Sequence, residues 1–181
     1  MPHALSSHPA TRPPTEIGLT VSLASGSTSL QLCFRAACGP GLLRLPPAAE
    51  APSFTDGLWQ HTCFEFFAAA PGGTAYREFN FAPSGHWAAY AFSGYRERLD
   101  WQPASAPLIR CMQAADALEV QVELPRALLP DSTVLALGLS AVLEHADGTL
   151  DYRALRHTAE RPDFHRRDAF ILELDLDASA P

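Results

Sequence analysis

The feature that most constrains this chain is the alternation of apolar and polar residues within short segments. In ALEVQVEL, residues 117–124, every second residue is leucine or valine, and the residues between them are glutamate or glutamine. A period of two places the apolar side chains on one face of a β-strand. Sixteen prolines and eleven glycines interrupt such segments, and almost no segment keeps a helical period. The chain is therefore predicted to form short strands joined by turns.

The number and spacing of these segments predict the fold class. About nine or ten strands are expected, with hairpins at Gly26, at 71–73, near Ala115 and at the Asp147–Gly148 pair. Strands do not alternate with helices, so a parallel nucleotide-binding sheet is not expected. The pattern is typical of an all-β, antiparallel β-sandwich with a jelly-roll-like, immunoglobulin-like two-sheet architecture.

Length and composition indicate one domain. The 181 residues lie within the usual range for a single domain. Residues 1–15 are rich in proline and serine and are predicted to be a flexible N-terminal lead-in, followed by the β-sandwich at 16–177. The start lacks the apolar run of an export signal, so the cytoplasm is the expected compartment. The four cysteines are then expected to stay reduced.

Charge and hydropathy argue against two classes of partner. The net charge of −7 argues against nucleic-acid binding, which requires a concentrated positive patch. No apolar run reaches the length of about 18 residues that a membrane span needs. The sequence leaves the oligomeric state open.

Two neighbouring strands, within 59–67 and 75–81, carry a second polar face. If Phe64 and Phe66 pack with Phe79 and Phe81, the alternation turns a different set of side chains to the opposite face. The residues of that set are candidates for ligand binding: Trp59, His61, Glu65, Tyr76, Glu78 and Asn80.

Aromatic rings beside hydrogen-bonding groups form the combination that a sugar requires. A pyranose ring stacks its C–H face on an aromatic ring, and its hydroxyl groups need donors and acceptors at fixed angles. A solvated outer face of an antiparallel sheet is the structural alternative. A glycoside-hydrolysing pair of Glu65 and Glu78 is a further alternative, although nothing in the sequence marks either residue as the acid.

A second group of ionisable residues lies in DYRALRHTAERPDFHRRDAF, residues 151–170. Its loop-like composition predicts the rim of a binding site, with these candidates: Tyr152, Arg153, His157, Asp163 and His165. Metal binding by His157, Asp163 and His165 is one alternative, which the neighbouring arginines disfavour. A surface network of arginine–aspartate pairs is the other.

These segments resemble the bacterial DOMON-like proteins, which are related to the family 9 carbohydrate-binding modules. The resemblance rests on DGLWQHTCFEFF, YREFNFAPSGHWAAYAFSGYR, VELPRALLP and YRALRHTAERPDFHRRDAFILEL, and it covers roughly residues 15–177. It implies a jelly-roll-like domain that binds ligands without catalysis, in which Trp59 stacks on a sugar and Glu65 accepts from its hydroxyls. Arg153 stands where the group usually has a second tryptophan, so Tyr152 is the remaining candidate for the second aromatic ring.

The function expected from the sequence is non-catalytic binding of a carbohydrate or a sugar-containing small molecule, with no cofactor. One alternative is a haem- or metal-binding DOMON-type domain that uses His61, His86, His157 or His165. The resemblance gives a Met–His haem site little support, because the chain has only Met1 and Met112. Another alternative is a protein-interaction β-sandwich, in which the polar face receives a partner.

Overall fold

The computed structural model describes residues 1–177, whose regular secondary structure consists almost entirely of antiparallel strands. Three single turns of 3-10 helix lie at Leu58–Gln60, Arg126–Leu128 and Arg167–Ala169. The strands are β1 (His3–Ser7), β2 (Gly18–Ser25), β3 (Ser29–Ala37), β4 (Cys63–Ala69), β5 (Tyr76–Phe81), β6 (Trp87–Phe92), β7 (Leu108–Gln113), β8 (Leu118–Pro125), β9 (Val134–Glu144), β10 (Leu150–Ala154) and β11 (Leu172–Asp175). No helix among residues 1–177 has the length and apolar character that a membrane span requires.

The strands join into one antiparallel sheet that curls back on itself. Its order is β6-β5-β4-β9-β10-β1-β2-β3-β8-β7, with β11 paired to β9 beside this path. The two halves of the sheet face each other across the core, where the rings of Phe34 on β3 and Phe64 on β4 lie 5.1 Å apart. The prediction of an all-β antiparallel fold is confirmed. The two halves form one continuous sheet because β1 pairs with β10 of one half and with β2 of the other.

The N-terminal segment differs from the predicted flexible lead-in, which is wrong for residues 3–7. These residues form β1, whose first part pairs with β2 and whose last part pairs with β10. The reason is physical: Leu5 is buried opposite Leu19, and the backbone of β1 satisfies the ladder groups of two strands that would otherwise be edges. One apolar residue among polar ones was too weak a signal to predict a strand.

The predicted register of β4 and β5 is confirmed. Phe64 lies opposite Phe81, and Phe66 lies opposite Phe79, and all four side chains are fully buried in the main core. Each buried phenylalanine stabilises the fold by about 1.5–3 kcal/mol. The four phenylalanines therefore fix which side chains point to the other face.

That other face carries a second apolar cluster, formed with the segment that precedes β11. Phe67, Tyr76 and Phe92 pack there with Phe170. Gly138 on β9 permits the contact, because a Cβ atom at this position would lie 2.8 Å from the Phe170 ring. The absence of a side chain at Gly138 thus lets residues 162–170 lie close over this part of the sheet.

Candidate functional site

A pocket of about 360 Å³ opens on the second face of β4, β5 and β6, beside β9 and β10. The sheet forms its floor, and three loop segments form its rim. Floor and walls are contributed by Glu65, Glu78, Tyr90, Phe92, Val142 and Tyr152, and the rim by Trp59, Arg96, Arg98, Pro162, Asp163, Phe164 and His165. Aromatic rings and charged groups therefore surround the same space.

Two glutamates form the polar part of the floor. Glu65 lies opposite Asn80, which is two residues along β5 from Glu78. Residues two apart share a face of a strand, so the pleat turns both carboxyl groups to the pocket side. They are 3% and 5% exposed. Each has one recorded hydrogen bond: Ser140 Oγ donates to Glu65 at 3.3 Å, and Asn80 Nδ2 donates to Glu78 at 2.8 Å.

Burial determines the protonation of these carboxyl groups. Loss of hydration raises the pKa of Glu65 well above its usual range, and the neighbouring Glu78 raises it further. Burial also raises the pKa of Glu78 to about 7, against the opposing effect of the Asn80 hydrogen bond. Both carboxyl groups of the floor therefore keep their protons to a higher pH than an exposed glutamate does.

The hydroxyl group of Tyr76 connects the floor to two rim segments. It lies 2.8 Å from His165 Nδ1, and it accepts a hydrogen bond from the backbone N–H of Arg96 at 3.1 Å. Because that hydroxyl has one proton to donate, the consistent arrangement has Nδ1 accepting and the proton of His165 on Nε2. Nε2 then points toward Glu78, 3.7 Å away.

An ion pair joins the same two rim segments. Arg96 donates to Asp163 at 3.0 Å, and the Tyr95 hydroxyl donates to the same carboxylate at 2.6 Å. Burial alone would raise the pKa of Asp163, but these hydrogen bonds hold it below its ordinary value. Arg96 has a positive φ of 58°, a conformation that non-glycine residues rarely adopt and that concentrates at functional sites.

Arg98 and Tyr90 form the opposite wall. The Arg98 guanidinium lies over the Tyr90 ring, 4.2 Å from its centroid, and 3.9 Å from Asp56. The Tyr90 hydroxyl donates a short hydrogen bond to Asp56. Burial and this carboxylate raise the pKa of Tyr90, which keeps its hydroxyl protonated.

Two exposed or half-exposed aromatic residues flank the floor. Trp59 lies in the 3-10 turn before β4, not within the strand as predicted, and is 44% exposed at the rim. Tyr152 lies on β10 opposite Val142, with its ring 6.2 Å from that of Phe164. Both rings therefore remain available to a ligand in the pocket.

The structure brings together some of the residues predicted from the sequence. Six predicted candidates line the pocket: Trp59, Glu65, Glu78, Tyr152, Asp163 and His165. Tyr76 and Asn80 lie behind this lining, where Tyr76 holds the rim and Asn80 holds Glu78. Their position differs from the predicted ligand contact, because both side chains are buried under the floor.

The other predicted candidates lie away from the pocket lining. His61 bonds Glu144 at 2.7 Å, since the chain bends after the 3-10 turn and does not continue the strand. Arg153 is next to Tyr152 on β10, so the pleat buries it on the opposite face, where it pairs with Asp151. His157 lies 2.8 Å from the Ser6 carbonyl oxygen, a contact that exists because β1 is ordered beside it.

Several lining residues were not predicted. Tyr90 and Phe92 could have been found, because they share a face of β6 and lie opposite Glu78 and Tyr76. Val142 lies in a mostly apolar strand that gave no signal of facing a ligand. Arg96, Arg98, Pro162 and Phe164 lie outside the strands, where the sequence pattern does not define direction.

The proposed metal ligands do not assemble. Asp163 accepts a hydrogen bond from the His165 backbone, but His157 is held at β1. In the part of the chain that the structure describes, no group of three or more His, Cys, Asp or Glu side chains is placed to hold a metal ion.

Comparison with solved structures identifies relatives of the fold. No protein-family model matches the sequence, and no curated protein does. A protein from Bacteroides uniformis, for which carbohydrate binding has been proposed, is similar with a TM-score of 0.70 and 15% identity, over 94% of this chain and 83% of that chain.

Two structures of a family 9 carbohydrate-binding module from Caldicellulosiruptor kristjanssonii are also similar. The complex with glucose gives a TM-score of 0.62 and 8% identity over 97% of this chain and 86% of that chain. The complex with cellotriose gives a TM-score of 0.59 and 9% identity over 85% of this chain and 71% of that chain. At these identities the likeness shows that this chain has a fold like that of a family 9 module.

Proposed function

We propose that this protein binds a carbohydrate or a sugar-containing small molecule in the pocket over β4 and β5, and that it does so without catalysis. The observation that carries the proposal is the pocket itself, in which Trp59 and Tyr152 flank the buried carboxyl groups of Glu65 and Glu78. Aromatic rings receive the C–H face of a sugar, and the carboxyl groups hydrogen-bond its hydroxyls.

The form of the pocket supports a small ligand. Its volume of about 360 Å³ lies at the lower end of the range for small-molecule sites, which is about 300–1,000 Å³. A concave site of this size favours a short ligand over a flat protein partner, which requires a larger contact area. The ligands in the two family 9 module structures are glucose and cellotriose, and the shared fold makes this ligand class the first to test.

The arrangement of the carboxyl groups supports binding over glycoside hydrolysis. In a glycosidase the two carboxyl groups flank the scissile bond. Here Glu65 and Glu78 come from adjacent strands of one sheet face, and burial raises the pKa of both. Neither is therefore favoured as the ionised nucleophile or base that a glycosidase needs beside its general acid.

We also propose that the domain works without a cofactor. The four histidines considered for haem or metal have other partners in the structure: Glu144 for His61, Ser53 for His86, Ser6 for His157 and Tyr76 for His165.

We retain as proposals the relationship to the DOMON-like group, the two-layered jelly-roll-like description and the cytoplasmic location. For the last, all four cysteines lie in the described range as free thiols, as a reducing compartment would keep them.

Isothermal titration calorimetry with glucose and cellotriose tests the proposal. The wild-type protein should bind at least one of these sugars, and Trp59→Ala should abolish or strongly weaken binding while the protein stays folded. Met112→Ala is the matched control, because it truncates a similarly exposed apolar residue on β7 and should bind like wild type. The function is rejected if wild type binds neither these sugars nor any sugar in a wider panel, and the pocket is rejected as the site if Trp59→Ala binds as tightly as Met112→Ala.

A further inference from the structure

The positive charges around the pocket are already matched by negative ones. Arg96 pairs with Asp163 at 3.0 Å. Arg98 lies 3.9 Å from Asp56 and stacks on Tyr90. Each arginine that lines the pocket therefore has a carboxylate of its own, and each acts on the floor only from a distance, where its charge lowers the pKa of Glu78.

The floor, by contrast, has two buried carboxyl groups that no arginine among residues 1–177 contacts. Among residues 1–177, no arginine is recorded within ion-pair distance of Glu65 or Glu78. The basic group nearest to Glu78 is His165 at 3.7 Å. Burial and the positive charge of Arg96 lower the pKa of His165 to about 4, so this imidazole is neutral at physiological pH and supplies no charge.

Hydrogen-bond acceptors are also in excess under the pocket. Asn80 is fully buried, and its Oδ1 has no hydrogen-bond partner among the described residues. It lies opposite Glu65 in the ladder. The recorded donors to the two carboxyl groups are Ser140 Oγ, at 3.3 Å from Glu65, and Asn80 Nδ2, at 2.8 Å from Glu78. The ionised forms of Glu65 and Glu78, which line the pocket, therefore have few donors within the protein, and a ligand that brings N–H donors can satisfy them.

We propose that the ligand supplies the missing positive charge, so that the pocket prefers an amino sugar with a free ammonium group over the corresponding neutral sugar. This inference rests on the proposed function and narrows its ligand class. The ammonium group offers three N–H donors to the floor. The walls suit it as well, because the faces of Trp59 and Tyr152 attract a cation.

The preference is coupled to protons. Without a ligand, Glu65 and much of Glu78 are protonated below neutral pH. An ammonium group beside them favours their ionised forms, so binding should expel protons to the solvent. A neutral sugar removes more water from the carboxyl groups, which favours the protonated forms, and should release no protons.

The other titratable groups near the floor do not reverse this sign. Asp163 and Asp56 face Arg96 and Arg98 from the rim, and the hydrogen bonds to Asp163 hold its pKa below the ordinary value. Cys63, Tyr76 and Tyr90 have raised pKa values through burial, so they keep their protons. His165 has already lost its proton at that pH.

Three oligosaccharides with the same β-1,4-linked backbone separate the outcomes at pH 6. Cellotriose carries a hydroxyl at C2 of each unit, chitotriose carries an ammonium group there, and its N-acetylated form carries a neutral amide. Calorimetry in two buffers of different ionisation enthalpy gives both affinity and proton release. We expect chitotriose to bind at least about tenfold more tightly than the two neutral trisaccharides, and to release protons on binding.

Variants of the floor test the origin of the preference. Glu78→Gln keeps the shape and the oxygen that accepts from Asn80, and it should reduce chitotriose affinity by about tenfold or more, and by a larger factor than it reduces cellotriose affinity. Glu173→Gln, on the exposed side of β11, should change neither. Circular dichroism verifies that each variant is folded, and the proton release of wild type is a readout that needs no variant.

The results distinguish this inference from the proposed function. If cellotriose binds as tightly as chitotriose, or if chitotriose binds without releasing protons, the inference is overturned and carbohydrate binding stands. If no oligosaccharide binds, and the wider sugar panel also fails, both are overturned. A tenfold preference that survives in Glu78→Gln and in Glu65→Gln would also refute the role assigned to the floor.

Discussion

The hydroxyl oxygen of Tyr76 lies 2.8 Å from Nδ1 of His165 and accepts a hydrogen bond from the Arg96 backbone as well. One side chain of the sheet therefore fixes two segments of the rim, 93–98 and 162–165. Its ring stacks on Phe92 with a centroid distance of 4.7 Å, so the hydroxyl has little freedom to move.

Tyr76→Phe should loosen the rim without disturbing the sheet. The change removes both hydrogen bonds and keeps the stacked ring, so we expect a loss of about 1–2 kcal/mol in the free energy of unfolding. Hydrogen exchange should accelerate in 93–98 and 162–165 and stay constant in β4 and β5. Tyr152→Phe is the matched control, because no hydrogen bond of its hydroxyl is recorded within residues 1–177. Equal exchange rates in the two variants would contradict the role of Tyr76.

Stability should fall as the pH rises from about 6.5 to 8. The pKa of Glu78 is raised to about 7 in the folded protein, so the folded state binds more protons than the unfolded state above the ordinary pKa of the side chain. The stabilising contribution is present at low pH and is lost as the pH passes through 7. We expect Glu78 to contribute a loss of about 0.8 kcal/mol between pH 6.5 and 8, to which Glu65 adds in the same direction.

Urea unfolding at pH 6.5 and 8 measures this effect, with Glu78→Gln as the comparison. The variant should show a smaller dependence on pH in this window. Below pH 6.5 two effects on stability oppose each other. Protonation of Glu78 stabilises the fold as the pH decreases, whereas the lowered pKa of His165 makes stability fall as the pH decreases from 6.5 toward 4. A wild-type protein that becomes more stable from pH 6.5 to 8 would contradict the assignment of buried, protonated carboxyl groups.

Gly138→Ala should displace the segment over the sheet. The new Cβ atom would meet the Phe170 ring at 2.8 Å, and relief of that overlap requires Phe170 to shift. We expect a loss of about 1–3 kcal/mol and a weaker sugar affinity, measured by urea unfolding and calorimetry. Gly73→Ala is the control, since its Cβ atom would meet nothing closer than 3.5 Å. If the two alanine variants are equally stable, the packing argument fails.

Leu5→Ala tests the correction at the N-terminus. If β1 is part of the folded sheet, loss of this buried side chain should cost about 2–5 kcal/mol of unfolding free energy. His3→Ala, in the same strand but only half-buried, should cost much less. A flexible lead-in would make both changes neutral.

The parts of the fold that could be predicted are those where side-chain alternation has one solution. In β4 and β5 the phenylalanines admit one register, and that register also places Glu65 and Glu78 on a common face. The hairpin of β7 and β8 follows from the same pattern. In these strands, burial of one face decides the direction of every side chain.

The rest of the site depends on contacts between distant segments. Trp59 reaches the rim through a 3-10 turn that begins after Gly57, whose φ is 79°. The predicted strand started at residue 59, whereas β4 begins only at Cys63. Arg96 is directed by a left-handed backbone conformation and by Asp163, which is 67 positions away. Neither cause leaves a periodic signal in the sequence.

The floor of the pocket is made by the reverse side of the same strands whose phenylalanines hold the core together. A shift of β4 against β5 would expose those rings, so this part of the site cannot be adjusted without loss of the fold. The segments around Arg96 and Asp163 contribute little to the main core, and loops of this kind tolerate replacement. Over evolutionary time, ligand preference in such a domain should therefore diversify through substitutions in the rim loops, while the two glutamates of the floor stay constant.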